Sequence, residues 1–92
     1  MPPFPSKNTI LIVDDEPVNI RALEIVLGDE HNLTYATTGE MALEMARAEP
    51  QPDLILMDIV MPGLDGFEVC AELKKNDKTR NIPKKQLPAI WK

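Results

Sequence analysis

"DLILMDIVMPGLDG", residues 53–66, carries four apolar residues, Leu54 to Met57, straight into the carboxylate of Asp58. An apolar run without alternation reads as a strand covered on both faces. The loop that follows holds Pro62, Gly63 and Gly66. An acid where a buried strand stops is either a cap for the next turn or part of a chemical site. The remainder of the chain decides between them.

A second stretch has the same form. "TILIVDD" (9–15) is β-branched and apolar, and it ends in Asp14 and Asp15. Pro17 then suits the first turn of a helix, where a missing N–H costs nothing. Val18, Ala22 and Ile25, with Ile20, Leu23 and Leu27, recur at helical spacing, and Gly28 provides the stop. "LTYAT" (33–37) reads as a more exposed strand. Thr37 and Glu40 have the spacing of a capping box, opening a helix that Pro50 and Pro52 end. After the third strand, Phe67, Cys70 and Leu73 form a further helical stripe. The order β-α-β-α-β-α predicts a parallel sheet with helices on both sides.

In such a sheet all strands finish at one edge. If the first and third strands are neighbours, about 4.8 Å apart, Asp14, Asp15 and Asp58 converge there, at the crevice where the winding reverses. Three anions so close repel by about 1 kcal/mol per pair in water and by more when partly desolvated. Protonation of one acid would relieve this. A divalent cation would do it better, and carboxylates with room for waters and a phosphate oxygen suit Mg²⁺. With no histidine nearby and no cysteine cluster, zinc is disfavoured. Asp58 is then placed to attack phosphorus as a carboxylate nucleophile.

The bulk properties narrow the field. The chain has 92 residues and a net charge of -5, with one cysteine and no run of 18 apolar residues. That length fits one domain, and neither a membrane span nor a secretory leader is visible. Cys70 forms no internal disulfide and fits a reducing compartment, so a cytoplasmic location is expected. Residues 1–73 carry a balance of -11 and residues 74–92 one of +6. So small a basic cluster is a weak argument for nucleic acid.

"ILIVDDEPVN" followed by "LILMDIVMPGLDGFEV" resembles the receiver (CheY-like) domain of two-component response regulators, and the 43-residue step from Asp15 to Asp58 fits that family. The resemblance implies a flavodoxin-like open parallel sheet, with residues 1–7 as a proline-rich lead-in, 8–83 as a partial receiver domain and 84–92 as a divergent basic tail. It makes Asp58 the phosphoacceptor. Asp15 and Asp58 become direct Mg²⁺ ligands, Asp14 a ligand through water, and Val60 a backbone-carbonyl ligand. Pro62 and Gly66 match the loop that shapes the site. The implied donor is a sensor histidine kinase or phosphotransfer protein, and the implied catalysis is limited to self-phosphorylation and self-dephosphorylation.

The pattern departs from the family after "TRNIP" (79–83), which still resembles the approach to strand four. Pro88 stands where the family has a hydroxyl residue, and strand five with its lysine has no counterpart. The expectation is a domain truncated after about its third β-α unit, impaired in transfer and signalling. Lys84 and Lys85 should lie at the amino-terminal edge of the sheet, unable to replace that lysine. Strand order 2-1-3 would leave the third strand as an open edge, so that the chain either forms a homodimer through it or is poorly stable. A receiver-like stub that docks without switching is the alternative function. An aspartyl-phosphate phosphatase would need a second acid at position 60, which is valine.

Overall fold

A computed structural model of the chain describes residues 8–28, 31–58 and 66–86. Seven elements alternate along it: β1 (Asn8–Val13), α1 (Pro17–Leu27), β2 (His31–Ala36), α2 (Gly39–Arg47), β3 (Leu54–Met57), α3 (Gly66–Lys75) and β4 (Lys84–Gln86). The strands form one sheet in the order β2-β1-β3-β4, and every pairing is parallel. Strand β1 sits between β2 and β3, so the winding reverses there as expected.

Period-two alternation divides the apolar residues between two cores. Leu11, Val13, Ile55 and Met57 face Ala42 and Ala46 of α2 and Val69 and Leu73 of α3. Ile10 and Ile12 face Leu23 of α1, with Leu54 and Leu56 packed partly buried beside them. Strand β1 is thus covered on two sides, and β3 fully on one and partly on the other, which accounts for their unbroken hydrophobic runs. No described helix is long and apolar enough to cross a membrane.

The structure corrects several details. The inward face of α1 is Asn19 and Leu23, while Val18 and Ile25 are 76% and 74% exposed. This helix is apolar almost all the way round, so periodicity alone does not select a face. On α3 the buried pair is Val69 and Leu73 at i, i+4, and Phe67 lies outside at 66% exposure. The cap of α2 is Thr38, whose Oγ1 accepts from the Met41 N–H at 3.1 Å, rather than Thr37 one residue earlier. Gly28 follows α1 in right-handed helical geometry, not in the left-handed turn common after helices.

The larger correction concerns the edge. Residues 84–86 form a fourth strand along β3, pairing Ile55 with Lys84, Leu56 with Lys85 and Met57 with Gln86. The Ile55 N–H also bonds the Pro83 carbonyl at 2.9 Å. Lys-Lys-Gln has no apolar strand signature, but ladder bonds are made by the backbone, and buried Ile82 anchors the approach. The third strand is therefore not an open edge, and the premise for a homodimer through it falls. Lys84 and Lys85 register with Ile55 and Leu56, short of the carboxyl end of β3. The Lys84 ammonium bonds back to the Ile82 carbonyl at 2.7 Å, away from the acids. Pro88 lies outside the described residues.

The exposed side of α1 is tied to β2 by the Tyr35 hydroxyl, which donates to Glu24 Oε2. That bond first, then burial and the Glu24 charge, push the phenol above its ordinary value of 10.0, against a lowering contribution from Arg21. A raised folded-state value favours the protonated phenol in the folded chain. The contribution is therefore complete below the unfolded value and is lost as pH rises through the folded one. Tyr35 is the sole tyrosine. Ultraviolet titration of the phenolate is expected to give a midpoint above 10.0, and Glu24→Gln should lower it.

Candidate functional site

The ladder positions two of the acids directly. Beyond Val13, the Asp14 N–H continues the β1–β2 pairing by donating to the Ala36 carbonyl at 3.1 Å. Beyond Met57, the Asp58 N–H donates to the Val13 carbonyl at 2.8 Å. Both residues are thus fastened by main-chain bonds at the carboxyl edge of adjacent strands. Asp14 is fully buried, Asp58 nearly so and Asp15 half-buried.

One carboxylate oxygen from each of Asp14, Asp15 and Asp58 lies within 4.8 Å of the others. The juxtaposition expected from two apolar strands ending in acids is present. Gly66 is buried as the first residue of α3. Val60 and Pro62 lie outside the described residues, as do Met61, Gly63 and Asp65.

The charge on this trio sets its chemistry. Pairwise repulsion runs from about 1 kcal/mol in water to about 4 kcal/mol at the effective dielectric of a protein boundary. Asp14 and Asp15 stand three and two residues before the start of α1 at Pro17, and a helix amino terminus offsets about 0.3–1 kcal/mol per anion. That is too little for three carboxylates. The donor set consists of hard oxygens only, which fits a small divalent cation such as Mg²⁺ and not a thiolate- or imidazole-seeking metal.

Other acids and polar residues are engaged elsewhere. Asp53 joins β1 to β3 at the opposite end, its Oδ2 accepting from the Thr9 N–H at 2.8 Å and its own N–H donating to the Thr9 carbonyl at 2.7 Å. His31 opens β2 in register with Asn8, at the edge away from the acids. Thr79 is buried, and its hydroxyl donates to the Leu73 carbonyl at 2.7 Å, closing the end of α3. One participant was not evident from sequence: the Asn19 side chain donates to Asp14 Oδ2 at 3.2 Å. The available signal was a lone amide among the apolar residues of α1, five positions after an acid.

A parallel β2-β1-β3-β4 sheet with three acids at its switch point is matched by the sequence pattern of the response regulator receiver domain over residues 10–83. The chain belongs to the receiver domain family of two-component systems. It is 49% identical over 75 residues to the response regulator PleD of Caulobacter vibrioides, a match covering 80% of this chain and 16% of PleD. Protein PilH of Pseudomonas aeruginosa is 44% identical over 75 residues, covering 80% of this chain and 61% of PilH. The chain therefore spans only part of the length of these relatives.

Among solved receiver structures, the N-terminal domain of a response regulator receiver protein from Methanoculleus marisnigri superimposes with a TM-score of 0.85 at 39% identity, over 91% of this chain and 68% of that one. The receiver domain of the sensor histidine kinase PA1611 from Pseudomonas aeruginosa gives 0.84 at 32% identity, over 91% and 69% of the two chains, and holds a magnesium ion in its active site cleft. The four-stranded receiver described here shares that architecture.

Proposed function

We propose that this receiver domain accepts a phosphoryl group on Asp58 in a Mg²⁺-dependent reaction, with a phosphohistidine on a sensor kinase or phosphotransfer protein as the donor. The observation that carries this reading is the meeting of three carboxylates within 4.8 Å at the sheet's carboxyl edge. The magnesium site of the related PA1611 receiver supports the choice of metal.

Asp15 and Asp58 would hold Mg²⁺ directly and Asp14 through water, with the Val60 carbonyl as a backbone ligand and Pro62 and Gly66 shaping the loop. When bound, the ion neutralises charge on the carboxylates and on the phosphoryl oxygens. An Asp58 oxygen attacks phosphorus, and an O–P bond forms as the donor's P–N bond breaks. The electron pair stays on the imidazole nitrogen, which takes up a proton. Later attack by water on phosphorus releases inorganic phosphate and regenerates the carboxylate. The only catalysis in this reading is on the domain's own side chain. A cytoplasmic location belongs to the same reading, since that is where a kinase phosphohistidine would meet it.

Incubation of the chain with acetyl phosphate and Mg²⁺ tests the proposal. Mass spectrometry is expected to show one phosphoryl group on the peptide containing Asp58, and chelation of the metal should remove it. A label on another residue, or one indifferent to chelation, rejects the reading.

A further inference from the structure

We propose that Asn19 is a positioning residue for the acidic trio, its side-chain amide orienting Asp14 and so setting the affinity of the site for Mg²⁺. This rests on the phosphoacceptor reading in one respect, that the trio binds a divalent cation.

Asn19 lies in the first turn of α1 and is 8% exposed, on the same inward face as Leu23. An amide buried there is costly unless it is hydrogen-bonded. A leucine would fill the position without that requirement, as Leu23 does one turn later. What the amide supplies is a donor aimed at the site: Nδ2 reaches Asp14 Oδ2 at 3.2 Å. From the other side, the Glu16 N–H donates to Asp14 Oδ1 at 2.9 Å. The Glu16 carbonyl in turn accepts from the Asn19 N–H at 3.0 Å, so both donors belong to one turn of backbone.

The two bonds grip the two oxygens of a single carboxylate and fix the plane of the group. Each carboxylate oxygen has two lone pairs, so accepting the Glu16 or the Asn19 bond does not by itself use up that oxygen. Asp14 can therefore be held in place and still serve the metal. Without Asn19, Oδ2 loses this amide bond, and the carboxylate is held less firmly against rotation about its Cα–Cβ and Cβ–Cγ bonds under repulsion from Asp15 and Asp58. Partners that orient metal ligands in this manner are typically worth about 10–100-fold in metal affinity.

The test is calorimetric titration of the chain with MgCl₂. Asn19→Leu keeps the volume and removes the donor, and it is expected to raise the Mg²⁺ dissociation constant by about tenfold or more. Asn19→Gln, which keeps the amide, should recover part of the loss. In an Asp14→Asn background the leucine substitution should change the constant by less than about twofold, because its effect runs through Asp14. Where circular dichroism shows that the leucine variant does not fold, Asn19→Ser carries the same expectation, its hydroxyl being too short to reach. A native-like constant for the donor-less variant overturns the proposal, as does an equal loss in the Asp14→Asn background, which would mark a packing effect. If the unsubstituted chain itself fails to bind Mg²⁺, the phosphoacceptor reading falls as well. Binding by the native chain that is unaffected at position 19 overturns this inference alone.

Discussion

Asp58→Asn is expected to abolish phosphoryl labelling while making the metal-free chain more stable than the native sequence. The two effects have one cause. Asp58 is nearly buried at the end of β3, within 4.8 Å of two other carboxylates. Removing its charge deletes the nucleophile and two of the three repulsive pairs, each about 1 kcal/mol or more. The amide is close in size and leaves undisturbed the main-chain bond from residue 58 to the Val13 carbonyl. Urea unfolding in chelator should therefore show a gain of about 2 kcal/mol or more.

Added Mg²⁺ should reverse the ranking. A ligand that binds only the folded chain stabilises it by about 2.7 kcal/mol at a hundred times its dissociation constant. The native trio would collect that benefit and the pair left in the variant far less. Equal stabilisation of both proteins by Mg²⁺, or a less stable Asp58→Asn in chelator, would contradict the charge-repulsion account.

Leu11→Ala should cost about 2–5 kcal/mol, the range for a large aliphatic residue truncated in a close-packed core. Leu11 is wholly buried in the central strand, with Thr34 and Ile55 as its neighbours across the ladder. Its side chain belongs to the cluster between the sheet and helices α2 and α3. At about 0.05–0.15 kcal/mol per residue, a chain of 92 residues has little margin against such a loss. Ile25→Ala provides the contrast, because Ile25 is 74% exposed. Its change should stay within about 0.5 kcal/mol. Denaturant midpoints for the two variants discriminate between the observed face of α1 and the Val18–Ala22–Ile25 stripe suggested by spacing. Comparable losses would restore the latter.

The parts of the molecule legible from sequence are those where one physical requirement dominates. Strands covered on both faces must be apolar throughout, so β1 and β3 declared themselves, and acids at their ends could only fall at a shared edge of a parallel sheet. Alternation of strands and helices then implied the switch point. Asp53, the acid that opens the stretch 53–66, stands just before β3 and fastens it to β1 through the Thr9 N–H.

Elsewhere competing features left the pattern ambiguous. Helix α1 offers apolar side chains on nearly every face, so its orientation is decided by Asn19 and Leu23 meeting the sheet. Thr37 has the capping-box spacing to Glu40, yet the Met41 N–H bonds to Thr38, its neighbour, which has no acid three residues on. Strand β4 was invisible because Lys84, Lys85 and Gln86 contribute a backbone ladder and no hydrophobic signal. Asn19 escaped because an asparagine early in a helix ordinarily suggests a cap, not a buried donor for an acid five residues earlier.

The amides of Asp14 and Asp58 bond to the carbonyls of Ala36 and Val13. The locations of these two acids are consequently specified by main-chain groups that every residue except proline possesses. Side-chain replacements along β1 or β3 can weaken the domain without displacing its reactive corner. Only sliding one strand against the other would move those acids, and that would unseat every interior residue of the slid strand as well. Misalignment of the chemistry and collapse of the domain are thus a single event, which protects the geometry during sequence drift.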